Sequence, residues 1–245
     1  MLGAISSDVI GFSASNLGSG GNVGAGFVGA TPVGKFALGY GATFRIPLSY
    51  TPITGQPSAL QPGSELRLRG GLEGAVSRRT YLRFAGIFAR SAPDKVGGAT
   101  RNGVGSRAIG YLSVNHGFGI ASITVYGFDV YRGSPQIEQT ATGAAFLPKG
   151  NLLSGGVRAD LAVAPRTVVA PRFEYRVSAS AGDTSATARL QRLGTSFRFG
   201  VDVRHTLNRA FAAVLQLGGV TGNVVQLTSV PFNGLRAGIQ LEYTP

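Results

Sequence analysis

Residues 34–50, GKFALGYGATFRIPLSY, alternate along their whole length. Phe36, Leu38, Tyr40, Ala42, Phe44, Ile46 and Leu48 take the even positions, while Ala37, Gly39, Gly41, Thr43, Arg45 and Ser49 take most of the odd ones. Period 2 places the two sets on opposite faces of a β-strand. Strands of soluble sandwiches average about 5–6 residues. A run of about fifteen extends roughly 45 Å, and at a tilt of about 40° it still crosses the hydrocarbon core of a bilayer. The pattern therefore points to a strand whose apolar face meets lipid and whose other face does not.

The same alternation recurs with regular punctuation, and predicts strands at 4–15, 22–31, 35–50, 63–77, 79–92, 105–117, 119–132, 149–164, 167–180, 190–205, 208–220 and 233–243. Short connections fall at Pro32-Val33-Gly34, Arg78, Gly117-Phe118, Pro165-Arg166 and Thr206-Leu207. They alternate with longer Gly-, Pro-, Ser-, Thr- and Asn-rich ones at 16–21, 51–62, 93–104, 133–148, 181–189 and 221–232. Short and long connections in turn place all short turns at one end of an up-and-down sheet, as in transmembrane barrels with short periplasmic turns and longer extracellular loops. An open sheet of twelve strands would expose two long edges, which closure removes. The expected fold is thus all-β: one transmembrane antiparallel up-and-down barrel of about twelve strands, a single domain over residues 1–245.

Composition agrees. The chain has 38 Gly, no Cys, no Trp, 43% hydrophobic and 14% charged residues, without a run of about 18 apolar residues that would form a membrane helix. Lacking cysteine, it has neither a disulfide framework nor a Cys-based metal site. Its start, MLGAISSDVIG, has no charged n-region and no apolar h-region. For an exported chain this is expected to be a mature form, signal peptide absent, with an added Met1.

The formal charge of +12 has no basic run to carry it, the longest being Arg78-Arg79, which argues against nucleic acid as a partner. The arginines lie within the alternating segments. In RLGTSFRFGVDVRH, Leu193, Thr195, Phe197, Phe199, Val201 and Val203 share one face, leaving Arg192, Arg198, Asp202 and Arg204 on the other. In VVAPRFEYRV, Arg172, Glu174 and Arg176 oppose Val169, Phe173, Tyr175 and Val177; in GSELRLRGGLEGAV, Glu65, Arg67, Arg69 and Glu73 oppose Leu66, Leu68, Leu72 and Val76. With Arg45, Arg83, Arg158 and Arg236, the expected lumen carries eleven arginines: 45, 67, 69, 83, 158, 172, 176, 192, 198, 204 and 236. Seven acids are assigned to the same face: Glu65, Glu73, Asp129, Asp160, Glu174, Asp202 and Glu242. An arginine on the lipid face at mid-membrane costs about 2–4 kcal/mol, so the inward assignment has a physical reason. Gly39, Gly41, Gly71, Gly156, Gly194, Gly200, Gly218 and Gly238 are also expected to face inward and leave space. Phe36, Tyr50, Phe88, Phe128, Phe211 and Tyr243 are read as outward interfacial anchors.

The last strand, NGLRAGIQLEYTP, sets Leu235, Ala237, Ile239, Leu241 and Tyr243 against Arg236, Gly238, Gln240 and Glu242. It resembles the closing strand of outer-membrane β-barrel proteins, which alternates and ends in an aromatic; here Thr244 and Pro245 follow Tyr243. Twelve strands and an arginine-lined lumen resemble the narrow porins for acidic oligosaccharides in architecture only. No motif matches residue by residue, so a substrate does not carry over. The resemblance implies the bacterial outer membrane, contact with membrane lipid and lipopolysaccharide, and passage of small anionic or polar solutes.

No catalytic, cofactor or metal site is expected. His116 and His205, the sole histidines, both fall at the short-turn end with no evident Ser or carboxylate beside them in sequence. Two His without Cys do not form a usual zinc site. GSGGNVGAG, from Gly18, lacks the lysine and spacing of a phosphate loop. Three rival readings remain: a barrel that only anchors the loops at 51–62, 93–104 and 133–148 for a partner; an autotransporter translocator, which needs an N-terminal helix that residues 1–21 do not pattern; and a basic soluble β-protein such as a capsid subunit. Oligomeric state is not set by these patterns.

Overall fold

A computed structural model describes residues 22–49, 59–100, 103, 105–133, 136–140, 143–146, 149–180, 193–225 and 228–243. The strand expected at 4–15 lies outside the described residues, as do Tyr50 and Arg192.

In chain order the strands are β1 (Asn22–Val33), β2 (Phe36–Pro47), β3 (Leu60–Gln61), β4 (Glu65–Ala75), β5 (Thr80–Ser91), β6 (Lys95–Val96), β7 (Ala99–Thr100), β8 (Ser106–Phe118), β9 (Ala121–Arg132), β10 (Gln136–Thr140), β11 (Gly143–Phe146), β12 (Gly150–Ala164), β13 (Thr167–Ser180), β14 (Leu193–Thr206), β15 (Phe211–Val225) and β16 (Ser229–Tyr243). Eleven of them form one antiparallel sheet in the order β1-β2-β4-β5-β8-β9-β12-β13-β14-β15-β16. Every neighbour in this sheet is also the next long strand in sequence, which is the up-and-down arrangement the alternating connections predict. At about 3.3 Å per residue and a tilt of about 40°, a strand of 12 residues rises about 30 Å. With eleven strands, β1 and β16 run in the same direction, and they do not pair with each other among the described residues.

The short turn at 165–166 sits where it is expected, and those at 34–35, 76–79, 119–120 and 207–210 overlap or adjoin their expected places. At the other end, two long connections are structured together. β3, β6 and β7 form a small sheet above the β4–β5 hairpin, held by the Gly63 amide donating to Asp94 Oδ1 at 2.7 Å. The 133–148 connection contains a hairpin of its own, β10–β11.

The two faces of the large sheet differ in kind. On one face Leu38, Phe44, Leu68, Phe84, Leu112, Val125, Leu153, Phe173, Phe199, Leu217 and Ile239 are all exposed. On the other, the buried residues are small or charged: Ala85, Ala89, Ala170, Ala212, Val214, Ser154, Glu65, Glu73 and Asp202. Ala89, whose side chain is a single methyl group, has no exposed surface at all. The second face is therefore concave. Side chains two strands apart meet over small residues between them: Arg107 of β8 reaches Glu65 of β4 over Ala89, and Tyr126 of β9 reaches Glu174 of β13 over Gly156. On a convex surface these side chains would splay apart.

One of three two-residue turns among the described residues sets a sequence requirement. Val33 and Phe36 are paired, so Gly34 and Lys35 alone reverse the chain, and Gly34 has φ of 62°. A two-residue hairpin needs a positive φ there, which a β-branched side chain resists. Gly34→Val is expected to destabilise the β1–β2 hairpin by about 1–2 kcal/mol. A lowered midpoint of the heat-induced mobility change on a gel checks it, with Gly34→Asn closer to the parent.

Candidate functional site

Register decides which charged residues share the concave face. Arg45 pairs with Glu65, Arg67 with Thr43, Arg69 with Gly41 and Glu73 with Arg83, all on the face opposite Phe44, Leu66 and Leu68. Across the sheet, Arg158 pairs with Arg172, Glu174 with Arg198, Asp202 with Ala170 and Arg236 with Gly218; Arg176, Arg204 and Glu242 lie on the same face. Ten of the eleven predicted arginines are thus on one face, and the eleventh, Arg192, lies outside the described residues.

Two assignments reverse. Tyr111 pairs with Phe128 and Ser154 with Phe128, which turns Phe128 inward, where the Arg176 guanidinium lies 5.5 Å from its ring centre. Asp129, next in sequence, consequently faces outward, near the long-loop end, where Asn151 Nδ2 donates to its Oδ2 at 3.0 Å. In β9, ITVYGFDVYR, large residues occupy both faces, so alternation alone could not select the phase. The same ambiguity hid Arg107 in β8, where the inner set Arg107, Ile109, Tyr111 and Ser113 is as apolar as the outer one. Arg132, which pairs with Arg107, joins it.

Among the described residues the concave face therefore carries twelve arginines (45, 67, 69, 83, 107, 132, 158, 172, 176, 198, 204 and 236) against six carboxylates (Glu65, Glu73, Asp160, Glu174, Asp202 and Glu242). The carboxylates are shared. Glu65 accepts from Arg67 at 2.7 Å and Arg107 at 3.3 Å; Arg158 reaches Asp160 at 2.9 Å and Asp202 at 3.3 Å; Arg172 reaches Asp202 at 3.4 Å. Arg83 pairs with Glu73 at 3.0 Å, Arg204 with Glu242 at 2.9 Å, and Arg176 with Glu174, which also accepts from the Tyr126 hydroxyl at 3.1 Å.

Arg198 and Arg236 have no carboxylate partner among the described residues; Arg236 donates to Gln216 Oε1 at 3.3 Å. With Arg172, Tyr126 and Glu174 they line a cavity of about 340 Å³ floored by Gly218, Val220 and Gly234. The glycines make that floor possible. A Cβ at Gly218 would stand 2.7 Å from the Phe199 carbonyl, and one at Gly200, its partner on β14 outside the lining, would stand 3.3 Å from Arg172 Nε. Arg45, Arg67 and Arg69 with Glu65 line a second cavity of about 690 Å³ against Gly24 and Gly26 of β1.

Both histidines occupy the outward face at the short-turn end. His116 Nδ1 is 2.8 Å from Thr80 Oγ1 and His205 Nδ1 is 2.9 Å from Thr167 Oγ1, each across one strand pair. Among the described residues no three His, Cys, Asp or Glu side chains gather as a metal site.

No protein-family model matches the chain, and no curated protein matches it. A solved structure described as the NanC porin in a rhombohedral crystal form is similar, at 8% identity and a TM-score of 0.42, over 91% of this chain and 99% of that one. The chain's function has to be read from its own geometry.

Asp202, like Glu65, is a carboxylate on which two arginines from different strands converge, and it is 7% exposed. Asp202→Asn removes the charge that both guanidiniums share and is expected to destabilise the sheet by about 1–3 kcal/mol. Denaturant titration followed by intrinsic tyrosine fluorescence measures it. A variant as stable as the parent would mean that solvent screens both pairs completely.

Proposed function

We propose that this protein is a porin-like channel of the bacterial outer membrane, with a concave, arginine-rich face forming the wall of a water-filled lumen for small anionic or polar solutes. The observation that carries the reading is the division of the sheet: large apolar side chains on the convex face and, among the described residues, twelve arginines against six carboxylates on the concave face. A soluble protein rarely exposes apolar patches beyond a few hundred Å², whereas a membrane barrel needs an apolar exterior and tolerates a polar interior. Guanidiniums without carboxylate partners need water or anions around them. A positive wall of this kind attracts anions and slows cations. Short turns then face the periplasm, and the long loops face outward, where lipopolysaccharide surrounds them.

The carboxylate-shared arginines stiffen the wall, and Arg198 and Arg236, which have no carboxylate partner among the described residues, present charge to the passing solute. The test is single-channel conductance in a planar bilayer under a salt gradient, with the reversal potential reporting selectivity. The parent is expected to prefer anions, and Arg198→Glu with Arg236→Glu is expected to shift the reversal potential towards cations. A steady conductance whose selectivity the double variant leaves untouched would remove the arginine face from the mechanism.

The orientation of the faces has a separate check. Leu112→Arg places a cation at the middle of the convex face and is expected to destabilise the membrane-inserted state by about 2–4 kcal/mol. Ser113→Arg, next door on the concave face, is expected to fold like the parent. Equal effects of the two on heat-modifiability would contradict the assignment of faces.

A second reading has one observation in its favour. Strands β3, β6 and β7, from two long connections, pair into a common platform at the loop end. A barrel that folds in membranes but never conducts would transfer the function to that platform.

A further inference from the structure

The charges at the short-turn end are sorted in a way that the channel reading does not use. The turns at 34–35, 76–79, 119–120, 165–166 and 207–210 read GK, VSRR, GI, PR and LNRA. They carry Lys35, Arg78, Arg79, Arg166 and Arg209, and not one Asp or Glu. All five cations are exposed, and among the described residues none of their side chains makes an ion pair or hydrogen bond. Their backbones are fixed nevertheless: the Gly117 amide donates to the Arg79 carbonyl at 2.8 Å, and the Thr206 amide to the Arg166 carbonyl at 2.8 Å.

Immediately behind these cations, on the convex face, lies a band of rings and aliphatic side chains. The His116 and Phe118 rings are 4.4 Å apart and the Phe211 and Tyr243 rings 5.2 Å apart. Leu241 is 63% exposed and Ile120, in the turn itself, 79%. An apolar wall, then rings that include the polar-edged His116 and Tyr243, then exposed cations is the order of environments from acyl chain through interface to phosphate. Among the described residues the opposite end lacks this sorting: there Asp129 and Asn151 face outward, and Asp94 sits beside Lys95.

We infer that the short-turn rim is a docking collar for anionic phospholipid headgroups, with Lys35, Arg78, Arg79, Arg166 and Arg209 binding the phosphates of the leaflet on that side. The inference rests on the membrane reading above and adds a lipid preference to it. The guanidiniums suit phosphate because their parallel N–H groups match two phosphate oxygens. Spacing the cations over four turns would engage several lipids around the perimeter and not a single bound molecule.

The test compares the full chain with a five-site variant, Lys35→Gln, Arg78→Gln, Arg79→Gln, Arg166→Gln and Arg209→Gln, in vesicles of phosphatidylcholine alone or mixed equally with phosphatidylglycerol. The midpoint of heat-induced unfolding is read in each. The parent is expected to gain several degrees from phosphatidylglycerol, and to lose most of that gain in molar salt. The five-site variant is expected to match the parent in phosphatidylcholine and to gain little from the anionic lipid. Arg90→Gln with Lys95→Gln, at the opposite end, is expected to keep the parent's gain. Insertion of both proteins with equal gains, or with none, overturns the collar and leaves the membrane reading standing. Failure of the parent to insert in either vesicle overturns both. Stabilisation of the detergent-solubilised parent by soluble polyglutamate as large as that by phosphatidylglycerol would make the partner an acidic polypeptide and overturn the lipid assignment.

Discussion

Backbone hydrogen bonding in a continuous antiparallel ladder is the interaction on which everything else in this protein depends, because the sheet has no apolar core to hold it. Among the described residues its buried apolar side chains are four alanines and one valine. Burying a Leu, Ile or Phe side chain is worth about 1.5–3 kcal/mol, and this chain leaves most of those side chains exposed on the convex face. That surface is stable only where a surrounding apolar phase replaces the missing core. The ladder in turn satisfies the amides and carbonyls that such a phase cannot hydrogen-bond. Eleven strands of 11–15 residues paired to their sequence neighbours meet that demand with short connections at one end.

Polar chemistry is then confined to the concave face, where curvature brings side chains from alternate strands within reach of one another. Small residues on the intervening strand are what permit this. Ala89 lies under the Glu65–Arg107 contact, Gly156 under Tyr126–Glu174, and Ala212 and Val214 flank the position over which Arg204 meets Glu242. Each carboxylate so placed braces strands that share no backbone hydrogen bonds. Because there are fewer carboxylates than arginines, the bracing is uneven: Arg198 and Arg236, without a carboxylate partner among the described residues, line a cavity beside the braced Arg172 and Glu174. Rigidity and exposed positive charge are two consequences of one imbalance.

The two ends of the sheet also diverge. Short turns leave little room for anything but reversal, and here they carry five exposed cations and no carboxylate. Long connections have enough residues to pair among themselves, as β3, β6 and β7 do. A channel reading uses the middle of the molecule, whereas the lipid collar and the loop platform use its ends.

Alternation in the sequence by itself determined the strand order, the up-and-down topology and the face on which Arg67, Arg69, Arg172, Arg176, Arg198 and Arg236 lie. A period of 2 with large apolar residues on one phase admits a single assignment, and a slip of one residue would invert every side chain. Where both phases carry large side chains, as in ITVYGFDVYR, that logic had no purchase, and only pairing with β8 and β12 decided that Phe128 faces in and Asp129 faces out. Arg107 was hidden for the same reason. Which arginines share a carboxylate was likewise decided by tertiary structure, since Arg107 and Glu65 are 42 residues apart and meet only because register and curvature bring alternate strands together. Local periodicity encodes which face a residue takes; its partners across strands depend on register, which a single strand does not contain.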